Sequence, residues 1–324
     1  MTGGLTAGEL RQNNWQLVRR ACLIAYLLGI LAIVVADGVP TGHLVLMPLI
    51  VVGLSIGSIG YGWRRLVRIM LDWLPFTIVL LVYDLSRSLS DATGLPLHEH
   101  DIAHTEKFLF GGNVPTVWLQ QHFYTPGQAH WYDALATLIY TSHFLATPIL
   151  AAILWMRNRE VWMGFISRVI VLSFAGLFTY VLFPEAPPWY AARDHFLPPV
   201  HRLSSEGWVW LHIDSVQDIL SGAQKEGSNP VAAMPSLHTA FAMLIALFLA
   251  DRIASRWRYA LYLYPAAMGL TLVYTGEHYV LDVIAGIGFA LVVHRGVSRW
   301  ERNRREFDEP VLAEQIPAAS DARA

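Results

Sequence analysis

Apolar residues run through this chain in blocks too long for strands and too continuous for the one-sided helices of a soluble domain. Eight blocks reach the length of about 17–25 residues that a bilayer-spanning helix needs: residues 17–36, 44–62, 69–85, 131–156, 161–183, 235–251, 259–275 and 279–297. The third is the most interrupted, by Asp72, Pro75 and Asp84. Two long polar stretches, 86–130 and 184–229, separate groups of blocks. The pattern predicts an all-α polytopic membrane helix bundle of about eight transmembrane helices. It divides the chain into a short tail (1–14), a membrane domain (15–300) and a tail (301–324) whose charged, then Ala/Pro-rich sequence predicts disorder. The first block has Arg19 and Arg20 at its start, a long apolar core and no small-x-small cleavage site, so it reads as a retained signal anchor.

Composition agrees. Hydrophobic residues make up 54% and charged residues 15% of the chain, and the mean hydropathy is +0.40. These values exclude a disordered chain, a coiled coil and an ordinary cytosolic enzyme. A net charge of -2 excludes a generally basic nucleic-acid binder. The single cysteine, Cys22, excludes a disulfide framework and a cysteine-based zinc site. With eight spans, 18 of the 23 Lys and Arg residues fall on the side that holds both termini. The positive-inside rule makes that side the cytoplasm and predicts a multi-pass cell-membrane protein with its long loops outside. Histidines segregate the other way: 12 of 13 lie in outward loops or in spans, and only His294 sits toward the cytoplasmic end.

Two segments carry candidate chemistry. Ala232-Ala-Met-Pro-Ser-Leu-His238 precedes and opens the sixth span, and Tyr274-Thr-Gly-Glu-His-Tyr-Val-Leu-Asp282 opens the eighth. The chain crosses the membrane twice between His238 and His278, so both histidines reach the same outer face. His278 and Asp282 are i and i+4, one helical turn apart. An aspartate there can take the Nδ1 proton of His278 and leave Nε2 as a nucleophile. Ser236 is a candidate N-cap, and the open N–H groups of the turn after it favour a phosphate. His238 lies in that turn, placed to protonate a leaving group.

These residues resemble the type 2 phosphatidic acid phosphatase superfamily, with its P-S-x-H motif, two spans, then H-x-x-x-D. The match runs from about residue 183 to residue 286 and hardly touches the first four spans. The superfamily's lipid phosphatases carry a K-x6-R-P motif upstream and an S-R pair before the catalytic His, and this chain has neither. The segment Pro187-Pro188-Trp189, the S-L-H triplet and the H-Y-x-x-D form look more like the inositol phosphorylceramide synthase and sphingomyelin synthase branch. The resemblance implies a six-helix core and transfer of a phospho-head group through a phosphohistidine. Membrane lipids are the implied donor and acceptor, and no metal or cofactor is needed. It implies His238, His278 and Asp282 as catalytic residues. Arg193, beside the Pro-Pro-Trp segment, is the first candidate for the phosphate's cation, with Ser236 and Trp189 at the binding site and Arg202 and Lys225 as weaker candidates. Two other readings stand beside this one: a hydrolase of lipid phosphates or polyprenyl diphosphates, and a transporter using the outward histidines. The His98-Glu-His-Asp-x-x-His104 run has zinc-like i,i+4 spacing but also fits a solvated loop. Gly53-x-x-x-Gly57 is a helix-packing motif, and Asp72, Asp84 and His143 are polar groups at membrane depth.

Overall fold

The computed structural model describes residues 7–37, 43–92, 95–212 and 232–314, and every regular element among them is helical. Three helices precede the first polar stretch: α1 (Ala7–Asp37), α2 (His43–Gly57) and α3 (Trp63–Ala92). That stretch forms two short helices, α4 (Asp101–Leu109) and α5 (Pro115–Phe123). Then come α6 (Trp131–Arg157) and α7 (Arg159–Leu182). The second polar stretch contributes α8 (Pro188–Arg193) and α9 (Gly207–Trp210). The chain ends with α10 (Leu237–Ala250), a 3-10 turn (Arg256–Tyr262), α11 (Leu263–Tyr274) and α12 (Val280–Glu314). The protein is a helical membrane protein. Among the described residues four segments are long and apolar enough to cross a bilayer: Asn14–Val34, Trp131–Arg157, Arg159–Leu182 and Val280–Arg304. Shorter apolar helices cover Pro48–Gly57 and Leu237–Ala250.

Helix α7 is the axis of the bundle, packed by α3, α6, α10 and α12. Its sequence is apolar on all sides, as a helix buried among other helices requires, and Phe165 and Leu172 are fully buried. Helix α1 lies at the opposite extreme. No residue of its apolar window is fully buried, as suits a lipid-facing helix, and it packs on α2. There Tyr26 donates to the Leu49 carbonyl and lies against Gly53, so the first glycine of the small-residue motif seats a tyrosine.

Two sequence expectations change. The interrupted third block is one continuous helix through Pro75. Asp72 is accommodated in it because Arg159 and Trp155 of the neighbouring helices bond its carboxylate. The side chain of Asp84 lies outside the described residues. The tail beyond residue 300 begins as helix, since α12 runs to Glu314. Its Arg/Glu-rich sequence contains strong helix formers that extend a helix already nucleated in the membrane. Residues 315–324 lie outside the described residues.

A close crossing joins α10 to α12. A Cβ on Gly286 would lie 2.3 Å from the Ser236 carbonyl oxygen. That approach lets the Ser236 N–H donate to the Asp282 carbonyl at 3.0 Å, locking the starts of the two helices together. Gly286→Ala is therefore expected to force them apart at a cost of about 1–3 kcal/mol. A lowered thermal midpoint together with lost activity checks this, with Gly288→Ala, which meets nothing within 4 Å, as the control.

Candidate active site

The bend between α11 and α12 is fixed from every side. Its glycine, Gly276, has φ +79°, and a Cβ there would come within 2.8 Å of the His201 carbonyl. Gln120 of α5 donates to the carbonyls of His201 and Tyr274 and accepts from the His201 N–H. The Trp189 N–H of α8 donates to the Gly276 carbonyl, and the Leu203 N–H to that of Thr275. Glu277 is buried, held by Arg202 at 2.8 Å and by the Ser204 hydroxyl.

The first turn of α12 is capped by acids. Asp282 Oδ2 accepts the Tyr279 N–H at 2.8 Å, one half of a capping box. Glu106 reaches over from α4 and accepts the Leu281 N–H at 3.0 Å. Between these caps stands His278, with its Nδ1 3.4 Å from Asp282 Oδ2, longer than a good hydrogen bond.

Helix α10 delivers the second histidine. Ser236 caps it, its hydroxyl oxygen accepting from the Thr239 N–H, and Tyr180 of α7 donates to the Pro235 carbonyl. His238 then projects into an aromatic cage, stacked on Tyr140 at 5.1 Å and beside His143 at 4.0 Å. Its ring centre lies 5.7 Å from that of His278, and its buried Nε2 has no hydrogen-bond partner among the described residues.

The fold thus gathers His238, His278, Asp282 and Ser236 into one site. Trp189 borders it on the far side of Arg202, whose guanidinium lies 5.1 Å from the indole ring centre. Arg193 sits apart: it is exposed, paired with Asp194 and laid over Tyr190. The arginine brought to the histidines is Arg202, which bonds Tyr140 as well as Glu277 and lies within Coulombic range of His238. Burial works against its charge, but Glu277 and Tyr140 more than offset this and hold it protonated. The acid next to His278 in the motif was the available signal, because a buried glutamate needs a cation. Lys225 lies outside the described residues.

Two glutamates from the polar stretches complete the site, and neither stood out in the sequence. Glu106 and Glu185 are fully buried. Glu185 is held by bridges from its backbone to His98 and Ala232. Its carboxyl faces Asp282 and Glu106, and among the described residues neither of its oxygens, nor Asp282 Oδ1, meets a donor. The Glu185 pKa is pushed well up, by burial first and then by the charge of Asp282. The histidines of the zinc-like run are occupied otherwise: His98 stacks on Phe183, and His100 and His104 pack on Phe196.

Residues 101–295 match the family described as the PAP2 superfamily. The chain belongs to the PAP2 superfamily. It is 29% identical over 230 residues to the phosphoinositol dihydroceramide synthase of Bacteroides thetaiotaomicron, covering 68% of this chain and 73% of that one. It is 27% identical over 164 residues to the inositol phosphorylceramide synthase catalytic subunit of Schizosaccharomyces pombe, covering 49% of this chain and 39% of the relative. A 26% identical stretch of 165 residues aligns with the inositol phosphorylceramide synthase of Candida albicans, covering 50% and 35% of the two chains. No solved structure matches. The PAP2 match begins with α4, takes in both histidine motifs, Arg202 and both buried glutamates, and leaves out α1 to α3. This PAP2 protein is accordingly a membrane enzyme.

Burial pushes the Glu106 carboxyl up to about 7, with the Leu281 N–H opposing and the charge of Asp282 assisting. The folded state therefore keeps this proton at pH values where the unfolded chain has lost it. Stability must fall as pH rises from about 4.5 to about 7, by at most about 3 kcal/mol. Glu106→Gln keeps an oxygen for the Leu281 N–H but cannot ionise. Thermal midpoints measured from pH 5 to pH 8 are expected to fall less steeply for this variant than for the wild type.

Proposed function

We propose that this PAP2 enzyme transfers a phosphoinositol head group from a donor lipid to the hydroxyl of a ceramide-type lipid, through a phosphohistidine. The relatives' names supply the substrate class. The observation that carries the chemistry is the meeting of His238 and His278, with Asp282 behind one and Arg202 beside the other. His278 Nε2 attacks phosphorus, and the bond to the donor lipid's oxygen breaks. His238 gives that oxygen its proton. The acceptor hydroxyl then attacks phosphorus, returns a proton to His238 and breaks the P–N bond. Arg202 faces the charge on the phosphoryl oxygens, and the N–H groups of the first turn of α10 face it from the other side. Arg202 takes the role first expected of Arg193. Asp282 draws closer as the imidazolium forms, since catalytic hydrogen bonds tighten on going from the empty to the occupied site. The arginine bias supports eight spans, cytoplasmic termini and an extracytoplasmic site.

Transfer must outrun hydrolysis. An acceptor held in line can reach an effective concentration of about 10⁵ M or more, against about 55 M for water. The cage around His238 and the polar stretches over it support exclusion of water. Residues 213–231 of the second polar stretch lie outside the described residues.

Glu185 adds a positioning role. Two facing carboxyls in a buried site cannot both ionise, and one proton between them satisfies Glu185 and Asp282 Oδ1 together. In this reading Glu185 is the acid that holds Asp282 toward His278.

Purified enzyme supplied with phosphoinositol lipid and ceramide is expected to form a new phosphodiester lipid; rapid release of inositol phosphate without it would indicate a hydrolase that passes the head group to water. Asp282→Asn, in a folded protein, is expected to lose at least about 10²-fold in rate by presenting the wrong tautomer partner to His278. Glu185→Gln, which mimics the protonated acid, is expected to stay within about fivefold of wild type, while Glu185→Ala loses about tenfold or more. A pH–rate profile that keeps its shape in Glu185→Gln completes the check; equal losses in both variants would leave Glu185 as packing.

A further inference from the structure

A second charged site lies at the other end of α7. Its first residue, Arg159, and Tyr180 near its end are 21 positions apart, about 31 Å along a helix. Tyr180 touches the start of α10, so Arg159 sits across the thickness of a hydrocarbon core from the histidine pair. Around Arg159 is a cavity of about 400 Å³ lined by Tyr61, Arg64, Arg65, Arg68 and Trp155.

Charge in this cavity is unbalanced. The described lining holds no acid, and Asp72 beside it is already used, since both of its oxygens are bonded by Arg159, and Trp155 donates to one of them. Arg65 lies 4.5 Å from the ring centre of Tyr61 and 5.5 Å from that of Trp155. Arg19 of α1 lies 4.7 Å from the Tyr61 ring centre and donates to its hydroxyl. Arg64 and Arg68 are exposed, and Arg68 lies within Coulombic range of Asp72. The positive-inside rule accounts for arginines on this face but not for their convergence on one cavity between helices. Guanidinium forks match phosphate oxygens in two-point geometry. Basic pockets between transmembrane helices suit phosphate head groups, and tyrosine and tryptophan suit the interface.

We propose that this cavity is a second anion site, separate from the reaction centre, that takes a multiply charged phosphate group and thereby clamps the start of α3 to α6 and α7. The group can arrive on a lipid of the facing leaflet or as a free phosphate compound. Full-length protein in phosphatidylcholine nanodiscs separates the two sources. One arm adds phosphatidic acid to the discs, and the other adds soluble pyrophosphate. A thermal midpoint that rises with phosphatidic acid alone indicates a lipid head group; a rise in both arms indicates that the phosphate suffices. In either case Arg64→Gln/Arg68→Gln is expected to weaken apparent affinity by about tenfold or more, while Arg256→Gln/Arg258→Gln changes it less than about twofold. Arg64, Arg68 and Arg256 are exposed and Arg258 is half-buried beside Tyr259, so neither change reaches the buried core. No shift in either arm, or equal weakening by both pairs, overturns the proposal.

Discussion

Everything at the reaction centre depends on how the polar bend between α11 and α12 is held. A bend carrying Glu277, His278 and Asp282 at the edge of a membrane is costly unless each charge and backbone donor has a partner. The partners come from elements far apart in sequence: Gln120, Glu106, Trp189, Arg202 and Ser204. The two polar stretches are therefore structural parts of the site and not mere connections between spans. Asp282 both caps its own helix and faces His278, so the helix start and the histidine are tied to one carboxylate.

The membrane bundle sets the other half of the geometry. Close packing at Gly286 brings Ser236 against Asp282, and with it the first turn of α10 and His238. Helix α7 braces that junction through Tyr180 and, at its far end, carries Arg159 to the arginine cavity. One helix thus connects the two charged clusters, one at each of its ends.

The helical membrane class and the family were legible in the sequence, because long apolar blocks and the paired P-S-L-H and H-Y-V-L-D motifs follow from local chemistry. The likeness also pointed to the synthase branch that the relatives' names carry. The partners of the motifs were harder to read. Arg193 lay nearest in sequence to the Pro-Pro-Trp segment, yet the backbone turns it outward, and Arg202 reaches the histidines because Glu277 draws it in. Glu106 and Glu185 resembled ordinary loop acids; only the fold shows them buried against Asp282. The helical start of the C-terminal tail was missed because charge was read as disorder where it extends an existing helix.

The central claim is that His278 carries the phosphoryl group, and the most direct test is to find it there. Enzyme incubated with phosphoinositol lipid in the absence of acceptor, quenched in base and mapped by peptide mass spectrometry, is predicted to show a phospho-adduct on His278. The adduct is expected to be lost in His278→Ala and to disappear from the wild type when ceramide is added. An adduct on any other residue, or transfer that inverts configuration at phosphorus with no adduct formed, would contradict the account.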